Sequence, residues 1–261
     1  MKRVWSTLLL GLILQTPAWS VFETVDQAHA ALQRVNQAIA KSPRVARLHT
    51  ERGDIYYQLN DFYRAIESYS AALKLDDKAS RAYFGRGMAY GRMGLINEGI
   101  ADLDVYIARH PSDSVAYTKR GVRNIWRGNL SDAQRDLTRA IELDPNNAEA
   151  HDDLGVVYAK FNRLSLAVEH FQTAIRLDPG YQKAYHNLAI CRFIQGQAQT
   201  ALEMVDKGLL LDADNRSSLI LKSSILQSLG RHTEANEILA RAEFLPEENW
   251  SERSAIGRTE K

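Results

Sequence analysis

The chain has 261 residues, of which 45% are hydrophobic and 25% are charged, a composition that excludes a disordered chain and suffices for a buried core. Its 33 lysine and arginine residues almost balance its 32 aspartate and glutamate residues. This balance argues against a nucleic-acid-binding protein, which needs many cations to neutralise phosphates.

The first predicted element is a targeting segment, residues 1–20, with the sequence MKRVWSTLLLGLILQTPAWS. A basic start precedes an apolar run from Val4 to Leu14, and Ala18 and Ser20 are spaced as in a cleavage site. The segment therefore predicts a cleavable signal peptide and an exported protein, periplasmic or secreted, from a bacterium. Retention as an anchor is the alternative, but the run is shorter than the roughly 20 residues that span a bilayer. We expect no stable transmembrane anchor after cleavage.

Residues 21–45 are predicted to form an N-terminal capping helix, and a repeat of 34 residues follows. Small residues mark one register of the repeat: Gly53, Gly87, Gly121, Gly155, Ala189 and Ser223. A second register, twelve residues later, holds Ala65, Gly99, Ala133, Ala167, Ala201 and Ala235. Pro43, Pro111, Pro145 and Pro179 keep the same phase.

Each unit predicts two amphipathic helices, because apolar residues recur every three or four positions around a central polar break. Small residues allow the two helices to cross closely, where a larger side chain would cost about 1–3 kcal/mol. The predicted repeats together span residues 46–246, and residues 247–261 are predicted to be a flexible tail. The individual units are 46–79, 80–113, 114–147, 148–181, 182–215 and 216–246.

One unit carries a family resemblance. Gly155-x-x-Tyr158, followed by Ala167-x-x-x-Phe171-x-x-Ala174 and Pro179, resembles the tetratricopeptide repeat. The resemblance implies an all-α, right-handed superhelical α-solenoid of about six helix pairs with an extra N-terminal capping helix. It also implies a protein or peptide partner, bound in a concave groove.

In this family the first helix of each unit lines the groove, and the register of the repeat transfers that role to particular residues. The candidate groove residues are Arg47, Asp54, Arg81, Phe84, Met88, Thr118, Val122, Ile125, Asp152, Lys183, His186 and Asn187. The alternative is that several of them pack between repeats. The two-carboxylate clamp of the chaperone-binding subgroup is not matched, since its positions hold Thr50 and Asp54, then Gly85, then Val115 and Lys119.

Arginine precedes the small residue in three repeats, at Arg52, Arg86 and Arg120, and Asp102 and Asp136 follow the last two by sixteen residues. This spacing predicts a half-buried ion pair that links the two helices of a repeat. The alternative is a row of arginines that receives an anionic ligand. Repeat four favours the ion pair, because there Leu154 and His170 replace both partners together.

No recognisable catalytic or phosphate-binding motif occurs, and the sequence predicts no cofactor and no metal site. The seven histidines are interpreted as dispersed over separate repeats, with a packing role favoured for His49 and His151, and Cys191 as a buried, inert thiol. The adjacent Asp152 and Asp153 point about 100° apart on a helix, which argues against a shared acid/base site. The predicted function is a non-catalytic scaffold or adaptor of a bacterial envelope or secretion assembly. The alternatives are a structural protein that self-associates as a homo-oligomer and an enzyme with an unrecognised groove site.

Overall fold

The computed structural model describes residue 22 and residues 24–246, which form thirteen α-helices and no strand. The predicted signal peptide (1–20) and the predicted tail (247–261) lie outside the described residues. A first helix, α1, precedes six helix pairs. The helices are α1 (Val25–Lys41), α2 (Ala46–Gln58), α3 (Phe62–Leu75), α4 (Ser80–Arg92), α5 (Ile96–Arg109), α6 (Ser114–Arg127), α7 (Leu130–Leu143), α8 (Ala148–Lys160), α9 (Leu164–Leu177), α10 (Gln182–Ile194), α11 (Ala198–Leu211), α12 (Arg216–Ser228) and α13 (His232–Glu243).

The packing order of the helices explains the curvature of the molecule. Each helix contacts the next one along the chain, and the first helices of successive pairs, from α2 to α12, also contact one another. Within the described part of the chain, the second helices of successive pairs make no such contact. The first helices therefore lie closer together and form the concave face, as expected for stacked helical repeats. The predicted all-α superhelical solenoid is confirmed.

The turn inside each pair contains one residue in the left-handed conformation. These residues are 34 positions apart: Asn60, Gly94, Gly128, Asn162, Gly196 and Gly230. Glycine and asparagine adopt a positive φ at little cost, so they end the first helix and let the chain reverse into the second.

Two of the small residues have a direct steric reason. A Cβ atom on Gly53 would lie 2.6 Å from a ring carbon of Tyr69, and one on Gly155 would lie 2.6 Å from a ring carbon of Phe171. Both aromatic side chains are fully buried. The close helix crossing predicted from the sequence is therefore present, and any side chain at these two positions would displace a core ring.

The core is divided into clusters along the solenoid, each built from neighbouring helices. Cys191 is buried in one of them, as predicted, and burial raises the pKa of its thiol to about 11. Of the helices that the structure describes, none is both long and apolar enough to cross a bilayer.

Candidate functional site on the concave face

The twelve candidate groove residues differ in exposure. Arg47 and Lys183 are exposed, and Asp54, Arg81, Met88 and Val122 are half-buried. The remaining six are buried: Phe84, Thr118, Ile125, Asp152, His186 and Asn187.

Several of the buried candidates make internal contacts. The Phe84 ring packs inside repeat two, 4.9 Å from the Tyr106 ring, centroid to centroid. Thr118 and His186 instead reach toward the next repeat. Thr118 accepts a hydrogen bond from Asn147 at 3.1 Å, and a ring nitrogen of His186 lies 3.0 Å from the Ser218 hydroxyl. The last two contacts are those of residues that pack between repeats, which was the alternative role for part of the set.

Polar side chains connect successive first helices along the concave face. Arg81 on α4 forms an ion pair with Asp54 on α2 at 3.1 Å, and the Tyr69 hydroxyl donates to the same carboxylate at 2.7 Å. Lys119 on α6 donates to Glu149 on α8 at 2.6 Å. These contacts fix the spacing of the first helices and hence the width of the groove.

In the part of the groove formed by repeats one to three, cations outnumber carboxylates around Tyr57. Arg92, Arg123 and Lys119 lie within electrostatic range of its hydroxyl, together with Glu149. Burial raises the pKa of Tyr57, and the three cations act in the opposite direction. The Arg92 guanidinium lies over the Phe62 ring, 5.1 Å from its centroid, and that ring packs edge-on against Tyr57.

Repeat four places three carboxyl groups in the next part of the groove, those of Glu149, Asp152 and Asp153 on α8. Asp152 is buried and accepts two contacts from the Asn187 amide, at 3.0 and 3.2 Å. Burial raises the pKa of Asp152 to about 7, against the opposing effects of Asn187 and Lys183. Burial, with Glu149 and Asp152 nearby, also raises the pKa of Asp153. The first helix of repeat four thus carries carboxyl groups, whereas that of repeat three carries the cations Lys119 and Arg123.

The predicted arginine–aspartate pairs are confirmed. Arg86 donates to both carboxylate oxygens of Asp102, at 2.7 and 2.9 Å, and Arg120 donates to both oxygens of Asp136, at 2.9 and 2.6 Å. In repeat one, Arg52 donates to the Ser68 hydroxyl at 3.0 Å. Arg86 and Arg120 are thus committed to internal partners rather than presented as a row for an anionic ligand.

Arg86 and Arg120 also reach the preceding repeat. Arg86 donates to Ser70 at 3.0 Å and Arg120 to Asp104 at 2.7 Å, in each case sixteen residues upstream. The second contact was not anticipated from the sequence. It means that each arginine connects three helices.

The histidines required one correction. His49 and His151, which share a register, each place Nε2 near the carbonyl oxygen of the preceding proline, Pro43 or Pro145, so their packing role is confirmed. The expectation that the histidines are dispersed over separate repeats was wrong for His151 and His170. Their Nδ1 atoms lie 3.2 Å apart within repeat four, because the position held by Asp136 in repeat three is occupied by His170.

Among the described residues, no group of three or more histidine, cysteine, aspartate or glutamate side chains is arranged to hold a metal ion. Sequence reasoning also did not single out Tyr57, Arg92 and Arg123. A signal for Arg123 was present, since the other five repeats carry an apolar residue in its register.

Comparison with family models gives three matches. One model, described as TPR repeat, matches residues 53–94, and two described as tetratricopeptide repeat match residues 127–182 and 170–203. No curated protein sequence matches the chain significantly.

Solved structures share the fold. YrrB, described as a TPR protein with an unusual peptide-binding site, is 25% identical over 72% of this chain and 97% of its own, with a TM-score of 0.57. A tetratricopeptide repeat protein from Parabacteroides merdae is 19% identical over 85% of this chain and 88% of its own, with a TM-score of 0.72. PilF of Pseudomonas aeruginosa is 16% identical over 83% of this chain and 90% of its own, with a TM-score of 0.62.

Proposed function

We propose that this protein is a non-catalytic adaptor that binds an extended peptide segment of a partner protein on its concave face. The chain belongs to the tetratricopeptide repeat family, whose members are generally non-catalytic interaction scaffolds. The observation that carries this proposal is the surface of the first helices. There, half-buried apolar side chains such as Met88, Val122 and Ile190 lie among charged residues of both signs. Such a mixed surface offers apolar contact and polar discrimination to a partner. The peptide-binding site ascribed to YrrB supports the same mode of binding.

We further propose that the protein works outside the cytoplasm, within an envelope or secretion assembly. The support is the basic, then apolar, then small-residue pattern of residues 1–20. Cell fractionation with N-terminal sequencing of the mature protein tests this. Recovery of the full-length chain from the cytosol alone would contradict it.

The groove is tested by affinity capture from the cell envelope with the variant Val122→Glu. Val122 is half-buried in the middle of the concave face, so a carboxylate there should repel or displace an apolar partner group without removing core volume. We expect loss of the captured partner at unchanged helical content in circular dichroism. Phe84 is unsuitable for this test, because it is 6% exposed and its truncation would damage the core.

The matched control is Leu210→Glu, which places the same charge on the second helix of repeat five, where the side chain is 87% exposed. This variant should capture the partner as the unmodified protein does. If Val122→Glu retained every partner, or if Leu210→Glu lost them equally, the concave face would not be the binding surface.

A further inference from the structure

Arg123 interrupts an otherwise apolar register of the repeat. The equivalent residues of the other five repeats are Ile55, Ala89, Val157, Cys191 and Ile225. All five are buried, and Arg123 is buried as well, with 3% of its surface exposed. Repeat three thus places a guanidinium at a position where the other five repeats place an apolar core side chain.

Two glycines leave the space that this guanidinium occupies. A Cβ atom on Gly91 would lie 2.7 Å from Cζ of Arg123, and one on Gly99 would lie 3.1 Å from its Nε. In the register of Gly99 the other five repeats all carry alanine, and in the register of Gly91 none of the others has glycine. The guanidinium therefore fills the space that a side chain of residue 91 would occupy. Tyr57 is the equivalent residue one repeat earlier, so this space lies on the floor of the concave face.

Arg123 forms no ion pair with a carboxylate among the described residues, although Glu149 lies within electrostatic range of it. Its Nη atoms donate to the carbonyl oxygens of Lys119 at 2.7 Å and Gly87 at 3.2 Å, and its Nε has no partner there. Burial lowers the pKa of Arg123 to about 10, so the side chain is still charged at neutral pH. A buried charge without a counterion normally costs several kcal/mol, and an apolar residue of similar size is often more stable. Folding alone therefore does not explain the arginine.

A second unpaired cation lies close by. Arg92 is half-buried over Phe62 and forms no ion pair with the residues that the structure describes. Both Arg92 and Arg123 lie within electrostatic range of Tyr57. Lys119, the third cation, is neutralised by Glu149 at 2.6 Å. Three cations against one carboxylate, Glu149, leave a net positive charge on a poorly solvated part of the groove floor, where electrostatic attraction is stronger than in water.

We infer that Arg92 and Arg123, beside Tyr57, form a subsite for a carboxylate of an extended acidic peptide that lies along the groove. Arg92 contacts the carboxylate, and Arg123 stabilises it from beneath the groove floor. Over repeat four, α8 carries the carboxyl groups of Glu149, Asp152 and Asp153 and no arginine, so a second carboxylate finds no equivalent subsite there and the peptide is held in one register along the groove. This inference rests on the proposed function and adds the chemistry of the ligand to it.

The experiment uses a phage-displayed library of random twelve-residue peptides, selected on the unmodified protein. We expect aspartate or glutamate at one position of the selected sequences. For a selected peptide, replacing that glutamate by glutamine should weaken binding about tenfold, as expected for a charge-assisted contact. In the protein variant Arg92→Gln, the same replacement in the peptide should not change the affinity. A full tenfold effect in Arg92→Gln, or an absence of acidic residues among the selected peptides, would overturn the inference.

Arg123→Met separates binding from folding, because methionine is apolar like the residues in the same register and has a similar length. We expect its melting temperature to be unchanged or higher and its preference for the glutamate peptide to be reduced. A lower melting temperature together with an intact preference would show that Arg123 is only structural, and would remove it from the subsite.

Lys207→Gln is the matched control, since it removes an exposed cation from α11, the second helix of repeat five, and should leave the preference at tenfold. The same variants also separate this inference from the proposed function. The native partner could be captured at full strength by the Arg92→Gln variant and lost from the Val122→Glu variant. That result would support the adaptor function and reject the carboxylate subsite. A library that yields no binder would reject peptide binding itself.

Discussion

Repeats three and four have the same backbone but different polar links between their two helices. In repeat three, Arg120 and Asp136 form a two-contact ion pair, whereas Leu154 and His170 occupy the same register in repeat four. His170 instead contacts His151 and stacks on Tyr158, with ring centroids 5.3 Å apart. The difference shows that the helical repeat specifies a place for a polar contact between helices, but not which chemical groups make it.

Breaking an ion pair between the two helices of a repeat should change the stability of that repeat most. Asp102→Ala leaves the half-buried Arg86 with Ser70 and without its carboxylate, so we expect repeat two to lose about 2 kcal/mol of stability. Hydrogen exchange of the α4 and α5 amides measures this locally, which suits a repeat protein whose unfolding is not strictly two-state. Unchanged protection would mean that the pair contributes nothing. Partner capture should be unaffected.

Acidification should act on repeat four, with a smaller effect. His151 Nε2–H donates to the Pro145 carbonyl, so its Nδ1 accepts from His170 Nδ1–H, and both rings are neutral. Burial lowers the pKa of both rings, and that of His170 falls to about 4 with His151 beside it. The unfolded chain therefore binds more protons as the pH falls from about 6.5 to 4, and stability decreases over that range.

Because these rings are half-exposed and solvent screens them, we expect them to contribute a loss of only about 1 kcal/mol between pH 7 and 4. Asp152 and Asp153 oppose this loss, since their raised pKa values favour the folded state on acidification. Exchange protection in α8 and α9 as a function of pH measures it. The variant His170→Gln, which cannot titrate, should reduce the slope. An equal slope in that variant would show that the two rings do not contribute, and Asp152 and Asp153 could not replace them, because their raised pKa values favour the folded state as the pH falls.

The smallest effect is expected in repeat one. Ser68→Ala removes the one hydroxyl contact of Arg52 to the neighbouring helix, at 3.0 Å, without removing a charge. We expect a loss of about 0.5–1 kcal/mol, typical of a single hydrogen bond. Exchange protection in α2 and α3 should fall less than it does in the helices of Asp102→Ala. A loss as large as in repeat two would show that the hydroxyl replaces the carboxylate fully.

The sequence predicted the structural features that recur with the 34-residue repeat. Small residues such as Gly155, and pairs such as Arg86 with Asp102, recur at fixed spacing, so one repeat predicts the next. The contact between His151 and His170 was missed, because it depends on two substitutions in a single unit. Burial of groove candidates such as Phe84 and Thr118 was not resolved either. Register assigns a residue to a helix face, but the neighbouring helices decide how deeply it lies.

The contact order along the solenoid has a mechanical consequence. In the part of the chain that the structure describes, no helix contacts another that lies more than two positions away in chain order. Tension applied between the ends is therefore carried in series, by one inter-repeat interface after another, and no long-range contact resists it. A small rotation at each interface changes the end-to-end length while every local core stays intact, so the molecule should behave as an elastic spring.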